Sequence, residues 1–307
     1  MAAEKIKVLI GPSTFCDHDK APLDLLSDSG FEVISNPHKR KLTKEETIAL
    51  LSGNVAGLIA GLEPLDKDVL TKTKLKVISR CGSGMSNVDL ATAKALGIKV
   101  YSTPDAPVNA VAELTVGSIL SLLRASSFMD KELHEGRWSK KIGRELAGKT
   151  VAIVGFGRIG RRVALLLKNF GVKLIAVDPA LTGIVEGVKI VTLAAAVKEA
   201  DILSLHTNGD KELIGEKEFA QMKDGVVLLN AARGGLINEA ALIKALESKK
   251  IAGAGLDTFS TEPYNGPLLK YSQVLLTPHI GSYTLECRKS MDMEAAQNLI
   301  KGFKNIK

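Results

Sequence analysis

Paired cysteines and long apolar runs are missing from this sequence of 307 residues. Its three cysteines, Cys16, Cys81 and Cys287, are widely spaced and form no C-x-x-C pair, which argues against a disulfide framework and a zinc site. The longest apolar stretch, 114–123, is interrupted by threonine, glycine and serine, whereas a membrane-spanning helix needs about 18 consecutive apolar residues. We therefore expect neither a bound metal nor a membrane partner.

A secretory signal is also missing. Glu4, Lys5 and Lys7 lead directly into a short strand-like run that begins at Val8, where a signal peptide would carry a longer apolar segment. Hydrophobic residues make up 45% of the chain and charged residues 24%, an ordinary balance that excludes a disordered tail or a collagen-like fibre. We expect a cytoplasmic protein, and the length indicates about two domains.

The net charge of +7 is open to three interpretations. Basic stretches at 38–41 and 137–149 would suit a nucleic-acid surface, but long basic side chains are equally typical of solvated faces. A positive field also attracts anionic small molecules such as nucleotides and carboxylates. Charge alone does not decide, but the motifs described below favour the third interpretation, so no nucleic-acid partner is expected.

Short β-branched runs alternate with helical segments along most of the chain. This alternation predicts parallel sheets joined by crossover helices, and the near-continuous apolar runs after residue 150 are typical of strands covered on both faces. A long amphipathic segment, 110–135, separates two such series and follows a loop at 104–107 that we interpret as a domain hinge. We predict an α/β protein with two doubly wound parallel sheets. The predicted strands are 7–10, 32–35, 57–60, 76–79, 99–102, 151–154, 174–177, 202–205, 226–229, 252–256 and 274–276.

A glycine-rich turn, Gly155-Phe-Gly157-Arg158-Ile159-Gly160, directly follows the predicted strand 151–154 and precedes a predicted helix at 161–170. Glycines at this spacing permit a tight turn and a close approach of the backbone to a pyrophosphate, which then lies at the helix N-terminus. The motif alone is weak, but the strand before it and the helix after it are the context that dinucleotide binding requires.

An acidic residue stands where a dinucleotide-binding fold needs one. Asp178 ends the predicted strand 174–177, about 20 residues beyond the glycine turn, as expected for the acid that binds the adenosine ribose. A carboxylate at this position accepts hydrogen bonds from the ribose hydroxyls and repels a 2′-phosphate. The alternative is a glycine-rich turn followed by an unrelated strand-end aspartate. We favour NAD as the cofactor over NADP.

Three further polar side chains follow three successive strands. Arg233, Glu262 and His279 come after the predicted strands 226–229, 252–256 and 274–276, and ligands of open α/β sheets bind at this carboxyl edge. A guanidinium can bind a substrate carboxylate, an imidazole can move the hydroxyl proton, and a carboxylate can orient the imidazole. Taken singly, Arg233 is equally explained as part of a surface ion pair, Glu262 as part of an ordinary turn, and His279 as a strand-end histidine. Together they predict hydride-transfer chemistry.

These motifs resemble those of the D-isomer-specific 2-hydroxyacid dehydrogenase family, and most of all its phosphoglycerate dehydrogenase branch. The likeness extends over nearly the whole chain. It is strongest in six segments: 81–89 (Cys-Gly-Ser-Gly-Met-Ser-Asn-Val-Asp), 111–115 (Val-Ala-Glu-Leu-Thr), 155–160, 230–235 (Asn-Ala-Ala-Arg-Gly-Gly), 257–263 and 278–281.

The resemblance implies a role for each matching residue. Arg233, Glu262 and His279 would be the catalytic set, with His279 as the proton donor. Ser83 and Gly84 would bind the substrate carboxylate through backbone N–H groups, together with Arg233 and His279. The cofactor-binding residues would be Gly155, Gly157, Arg158, Ile159, Gly160, Asp178, His206, Thr207, Ala231, Ala232, Asp257 and Gly281.

The resemblance also implies an architecture. A flavodoxin-like substrate-binding domain would comprise residues 1–103 and 284–307, and a Rossmann NAD-binding domain would comprise residues 104–283. The C-terminal helix would return to the first domain, and two copies would form a homodimer through the nucleotide domain. The expected substrate is a small anionic 2-oxo or 2-hydroxy acid.

Substrate identity stays open at the level of sequence. The phosphoglycerate dehydrogenases that the chain resembles carry an Arg-Ser pair after the third strand, where the arginine helps to bind phosphate, whereas residues 60–63 here read Ala-Gly-Leu-Glu. A glyoxylate or hydroxypyruvate reductase is therefore an alternative. Related phosphite- or formate-oxidising enzymes share most motifs, and a NAD-sensing regulator without catalysis is an alternative from a different class.

Overall fold

The chain divides into two compact units. The computed structural model describes residues 5–209 and 211–306. One unit joins Met1–Pro107 to Tyr283–Lys307, and the other is Val108–Ser282. The sequence predicted domain boundaries after residues 103 and 283. The boundaries in the structure follow residues 107 and 282.

Thirteen strands and eleven α-helices form within the described residues. All eleven predicted strands are present, and no end is shifted by more than two residues. In chain order the elements are β1 (Ile6–Ile10), α1 (Ala21–Asp28), β2 (Phe31–Ser35), α2 (Lys44–Leu51), β3 (Val55–Ala60), α3 (Lys67–Thr71), β4 (Val77–Arg80), α4 (Leu90–Ala95), β5 (Lys99–Ser102), α5 (Val108–Arg124), α6 (Ser126–His134), β6 (Thr150–Val154), α7 (Arg158–Leu167), β7 (Lys173–Val177), β8 (Ile184–Val185), β9 (Val188–Ile190), α8 (Leu193–Glu199), β10 (Ile202–Leu205), α9 (Glu216–Gln221), β11 (Val226–Asn230), α10 (Glu239–Glu247), β12 (Ile251–Leu256), β13 (Val274–Leu276) and α11 (Leu285–Lys304).

The first unit is built on a five-stranded parallel sheet in the order β2-β1-β3-β4-β5, which is the flavodoxin-like order. Helix α11 packs on one face of this sheet, beside α1. Burial of a leucine or isoleucine side chain contributes about 1.5–3 kcal/mol to stability. Side chains of this kind cover both faces, with Leu9, Leu58 and Ile78 on one face and Val8, Ile59 and Leu299 on the other.

The second unit has an eight-stranded sheet in the order β13-β12-β11-β10-β6-β7-β9-β8. It is parallel except for the pairing of β8 with β9. Counted from β6, the parallel strands follow the Rossmann order, and the direction of winding reverses between β6 and β10. The ends of these two strands form the crevice in which folds of this kind bind nucleotides. The predicted fold class is confirmed.

The segment 110–135 differs from its prediction as one long amphipathic element. It forms two helices, α5 and α6, that bend by 68° at a break, where Ala125 takes a left-handed conformation with φ of 48°. Among the described residues, no single helix is long and apolar enough to cross a membrane. Helices α5 and α6 reach the required length and apolar composition only when they are taken together.

Candidate active site

The glycine-rich turn lies between β6 and α7. Gly155 has φ of 94°, and Gly157 is the N-cap of α7, which begins at Arg158. The sequence predicted that this helix begins at residue 161. In the structure it begins three residues earlier, so Arg158, Ile159 and Gly160 lie in its first turn. Backbone N–H groups of a first helical turn have no partner within the helix and point outward toward a bound anion.

The space around the three glycines fits a bound pyrophosphate. A Cβ at Gly155 would lie 2.5 Å from the carbonyl oxygen of His206, and a Cβ at Gly160 would lie 2.1 Å from that of Gly155. These two positions therefore allow strand, turn and helix to pack closely. A Cβ at Gly157 would have no heavy atom within 4 Å. The open space at Gly157 is where a dinucleotide phosphate would lie.

Asp178 ends up beside the glycine-rich turn. Its Oδ2 accepts a hydrogen bond from the N–H of Phe156 at 3.0 Å, and its Oδ1 accepts one from Ala180 at 3.0 Å. These bonds fix the carboxylate at the end of β7. Each oxygen retains acceptor capacity for a hydroxyl group, so the arrangement fits a ribose.

His206 and Thr207 follow β10, across the crevice from the glycine-rich turn. The Nε2 of His206 lies 2.8 Å from the Oγ of Ser204, while its Nδ1 and the Oγ1 of Thr207 are buried without a hydrogen-bond partner in the structure. Burial lowers the pKa of His206 to about 4, so this imidazole is neutral near pH 7. Orphaned polar atoms at this edge are consistent with a polar ligand in the crevice.

Arg233 is presented by a tight turn after β11. Asn230 closes this turn, because its Nδ2 donates to the carbonyl of Arg233 at 2.8 Å and its Oδ1 accepts from the N–H of Ala232 at 3.1 Å. The Nη1 of Arg233 donates to the carbonyl of Ala232 at 2.6 Å. A Cβ at Gly234 would lie 1.9 Å from the backbone of Phe259. This turn, which includes Ala231, therefore packs directly on the loop after β12.

Glu262 and His279 are joined by a hydrogen bond. The Nδ1 of His279 lies 2.9 Å from the Oε2 of Glu262, and both side chains are partly exposed, at 41% and 33%. The other carboxylate oxygen, Oε1, accepts from the N–H of Phe259 at 3.0 Å. Two groups 17 residues apart in the sequence therefore meet at the carboxyl edge, with one nitrogen of the imidazole still available.

Asp257 is buried beneath the turn that carries His279. Its carboxylate accepts hydrogen bonds from the hydroxyl of Thr277 and from the N–H groups of Ile280 and Gly281, at 2.6–2.8 Å. Thr258, the next residue, has a buried hydroxyl without a hydrogen-bond partner in the structure. The family resemblance implied Asp257 and Gly281 as cofactor-binding residues, but it gave no sign that they bond to each other.

Ser83 and Gly84 lie in the other unit, just after β4. Ser83 is exposed and Gly84 is half-buried. The loop is anchored at Gly82, whose N–H donates to the hydroxyl of Thr103 at 2.7 Å and whose carbonyl accepts from the N–H of Thr103 at 3.1 Å. The two residues therefore lie at the carboxyl edge of the five-stranded sheet.

Cysteine chemistry does not contribute to the site. All three cysteines are buried, and burial raises the pKa of Cys16 to about 12 and that of Cys287 to about 11. Thiols with raised pKa values are poor nucleophiles near neutral pH. Within residues 5–209 and 211–306, no group of three or more His, Cys, Asp or Glu side chains is arranged to hold a metal ion.

Sequence reasoning missed Asn230 and Thr277 as residues that shape the site. Each follows the apolar core of a strand; Asn230 donates to the carbonyl of Arg233, and Thr277, in the turn that carries His279, donates to Asp257. The available signal was a short polar side chain at the end of a buried strand, which commonly forms hydrogen bonds to a local turn. For Thr277 the acceptor, Asp257, follows a different strand, β12, so local sequence could not identify the pairing.

Comparison with known proteins supports the family that the sequence motifs resemble. The family model described as D-isomer specific 2-hydroxyacid dehydrogenase, NAD binding domain, matches residues 116–281. Hydroxypyruvate reductase of Thermotoga maritima is 37% identical over 293 residues, which cover 92% of this chain and 95% of that protein. D-3-phosphoglycerate dehydrogenase of Homo sapiens is 36% identical over 304 residues, and the match covers 96% of this chain but 56% of that longer protein.

The fold is also found among solved structures. A glyoxylate reductase from Paecilomyes thermophila superimposes with a TM-score of 0.87 and 31% identity, covering 97% of this chain and 95% of that one. Similar proteins with three different substrate names therefore share this architecture at similar levels of identity. The chain belongs to the D-isomer-specific 2-hydroxyacid dehydrogenase family, and it is an oxidoreductase that uses NAD(P) and acts on the CH–OH group of its substrate.

Proposed function

We propose that this protein reduces small, unphosphorylated 2-oxo acids, such as hydroxypyruvate or glyoxylate, to the D-2-hydroxy acids with NADH. The observation that carries the proposal is the 2.9 Å hydrogen bond between His279 and Glu262. This pair lies at the carboxyl edge of the sheet whose β6–β10 crevice fits a dinucleotide. Arg233 lies on a neighbouring turn of the same edge.

In this proposal His279 handles the proton. Its Nδ1 is engaged by Glu262, so Nε2 is the nitrogen that donates a proton to the substrate oxygen during reduction and accepts one during oxidation. The carboxylate of Glu262 orients the ring through this bond. NADH, when bound, would supply the hydride for this reduction.

Arg233 is assigned to the substrate carboxylate. A guanidinium offers five N–H donors in a planar fork, and one of its nitrogens is held by the carbonyl of Ala232. That bond orients the fork and leaves further donors for a two-pronged contact with a carboxylate. Substrate contacts by the backbone N–H groups of Ser83 and Gly84 stay a prediction of the family resemblance.

Cofactor preference is assigned to Asp178. The carboxylate is fixed by the N–H groups of Phe156 and Ala180, so it cannot turn away from a ribose without losing both bonds. A 2′-phosphate at the same place would face this negative charge. We infer a preference for NAD over NADP.

The loop after β3 favours an unphosphorylated substrate. Residues 60–63 include no lysine or arginine, and Glu63 is only 1% exposed. Its two carboxylate oxygens accept from the N–H of Gly61 at 2.9 and 3.0 Å, and burial raises its pKa. Loss of a charged phosphate contact costs about 1.5–3 kcal/mol. 3-Phosphoglycerate is the second candidate, supported by the 36% identity to a phosphoglycerate dehydrogenase.

We also propose that two copies associate in the cytoplasm. The side chains of Leu133, Trp138 and Ile142 are 57%, 79% and 100% exposed, and large apolar side chains left this exposed are typical of an interface. Sedimentation of the wild type and of Trp138→Ser tests this proposal. A wild-type monomer would contradict it.

Substrate choice is tested by measuring kcat/KM with NADH for hydroxypyruvate and for its 3-phosphate side by side. We expect the unphosphorylated acid to be used at least comparably well. A preference above about 100-fold for the phosphorylated acid, equivalent to ~2.7 kcal/mol, would overturn this assignment. Binding of NADH without turnover of any 2-oxo acid would instead indicate a NAD-sensing regulator.

A further inference from the structure

We propose that Asp292 is a positioning residue for substrate binding, because its buried carboxylate ties two loops of the first unit to helix α11. One loop follows β1, and the other follows β4 and carries Ser83 and Gly84. The proposal rests on the function proposed above, in which a small 2-oxo acid is the substrate. Neither the sequence motifs nor the family resemblance singled out Asp292.

Asp292 lies on the buried face of α11. It is 4% exposed, and its neighbours on that face, Met291 and Ala295, are 2% and 0% exposed. A carboxylate in such surroundings is costly unless hydrogen-bond donors surround it, and burial raises the pKa of this carboxyl. An apolar residue would cover the sheet equally well. What the carboxylate adds to the helix is therefore its set of hydrogen bonds.

Each carboxylate oxygen of Asp292 accepts a hydrogen bond from a different loop. Oδ2 accepts from the N–H of Cys16, in the loop after β1, at 2.9 Å, and Oδ1 accepts from the thiol of Cys81, directly after β4, at 3.3 Å. Burial raises the pKa of the Cys81 thiol, so this group is protonated and can donate near neutral pH. One carboxylate therefore joins segments that lie 276 and 211 residues away in the sequence.

Arg288 strengthens the link to the loop after β1. It precedes Asp292 by about one helical turn, and its Nη2 donates to the hydroxyl of Thr14 at 2.9 Å and lies 3.7 Å from the Oδ1 of Asp292. Cys16, in the same loop, has φ of 62°, in the left-handed region that residues other than glycine seldom adopt unless contacts hold them there. The bonds from α11 therefore maintain an unfavourable backbone conformation.

Cys81 transmits this constraint to the loop after β4. Its N–H donates to the last carbonyl of β3 at 2.8 Å, so its backbone is tied to the neighbouring strand and its side chain to α11. Ser83 and Gly84 follow two residues later, at the carboxyl edge of the sheet, where ligands of open α/β sheets bind. Loss of the bond to Asp292 should therefore displace a loop that lies at the ligand-binding edge.

Four variants separate the bonds of Asp292 from the packing of α11. Asp292→Asn keeps the shape of the side chain but places an N–H donor against one of its donors. Cys81→Ala removes the thiol, and Cys81→Ser replaces it with a hydroxyl donor. Cys287→Ala is the matched control, because Cys287 is a buried thiol of the same helix and the donors to Asp292 found among the described residues do not include it.

Steady-state kinetics with hydroxypyruvate at saturating NADH give the first readout. We expect KM to rise about tenfold in Asp292→Asn and about threefold in Cys81→Ala, the scale of one or two lost hydrogen bonds, and to return in Cys81→Ser. The kcat should stay within about twofold, because a binding contact that is equal in the ground state and the transition state affects KM alone. Cys287→Ala should keep the wild-type KM.

Hydrogen exchange of the backbone amides, measured by mass spectrometry without substrate or cofactor, gives the second readout. Exchange reports how readily a segment opens locally. We expect faster exchange in segments 13–17 and 81–84 of Asp292→Asn and in segment 81–84 of Cys81→Ala. Cys81→Ser and Cys287→Ala should exchange like the wild type.

The two readouts separate a role in substrate binding from a purely structural role. An unchanged KM in both Asp292→Asn and Cys81→Ala would overturn the positioning role, whatever the exchange rates are. A KM in Cys81→Ser as high as in Cys81→Ala would overturn the role of the bond between Cys81 and Asp292. If the wild type reduces no 2-oxo acid while exchange accelerates as expected, the proposed function fails and the attachment of both loops to α11 by Asp292 stands.

Discussion

His279 and Glu262 are 17 residues apart in the sequence, yet their side chains meet at 2.9 Å because they follow two adjacent strands. Glu262 accepts from the backbone of Phe259 with its second oxygen, so the carboxylate is fixed before any substrate binds. The turn at His279 is held by Asp257, at the start of the loop that carries Glu262. The loops after β12 and β13 therefore create one hydrogen-bonded histidine–glutamate pair.

Glu262→Gln tests the pairing. Glutamine keeps the shape of the side chain but removes the charged acceptor that holds the Nδ1 of His279 at 2.9 Å. We expect kcat for reduction of a 2-oxo acid to fall by about 10- to 100-fold, the range for a hydrogen bond to a charged group. Steady-state kinetics at saturating NADH measure this directly. Glu45→Gln, on the exposed surface of α2, is the control and should leave kcat unchanged. A wild-type kcat for Glu262→Gln would show that the pair does not act in proton transfer.

Arg233→Lys tests the substrate carboxylate. Lysine keeps the positive charge but loses the planar fork and the bond to the carbonyl of Ala232. We expect kcat/KM for a 2-oxo acid to fall by about 10- to 100-fold, the range for a charged hydrogen bond. The wild type should use the matching 2-oxo amide poorly. Equal use of acid and amide by the wild type would remove this role from Arg233.

The local motifs were predictable because each one is written within a short stretch of sequence. The glycine-rich turn lies between a strand and a helix as predicted, and Asp178 lies beside it. The positions of Arg233, Glu262 and His279 after β11, β12 and β13 were also predictable, because near-continuous apolar runs identify buried strands.

The features that sequence reasoning missed depend on distant contacts or weak local signals. Alanine favours helices, so nothing local marks Ala125 as the break between α5 and α6. Strands β8 and β9 have only two and three residues, too few for a periodic pattern. The only clue to this hairpin was Glu186-Gly187, whose φ angles of 51° and 80° make a tight turn. The bonds from Asp257 join residues 20 to 24 positions apart.

Asp178→Ala and Asp178→Asn together test cofactor choice. Both remove the charge that would face a 2′-phosphate, while asparagine keeps an acceptor for the N–H of Phe156. Like charges near a surface repel by more than ~1 kcal/mol, so the NADP/NAD ratio of kcat/KM should rise about tenfold or more in both variants. An unchanged ratio in both would show that Asp178 does not face the ribose. A rise in Asp178→Ala alone would point to a rearranged turn.

Gly157→Ala and Gly160→Ala form a matched pair for the cofactor site. At Gly157 a Cβ meets no atom within 4 Å, so this variant should keep its melting temperature and bind NADH more weakly by intruding on the phosphate. At Gly160 a Cβ would lie 2.1 Å from the carbonyl of Gly155, so stability should fall by about 1–3 kcal/mol. Thermal unfolding measures the stability of each variant, and a fluorescence titration measures its affinity for NADH. Normal NADH affinity in Gly157→Ala would place the pyrophosphate elsewhere.

The most direct test of the whole account is the kcat for NADH-dependent reduction of hydroxypyruvate by the wild type and by His279→Asn. General acid catalysis contributes about 10²–10⁴-fold, so the variant should lose at least ~100-fold in kcat. Its affinity for NADH should stay unchanged, because the glycine-rich turn and Asp178 are intact. A variant with wild-type kcat would contradict the account, because proton transfer would then not depend on His279.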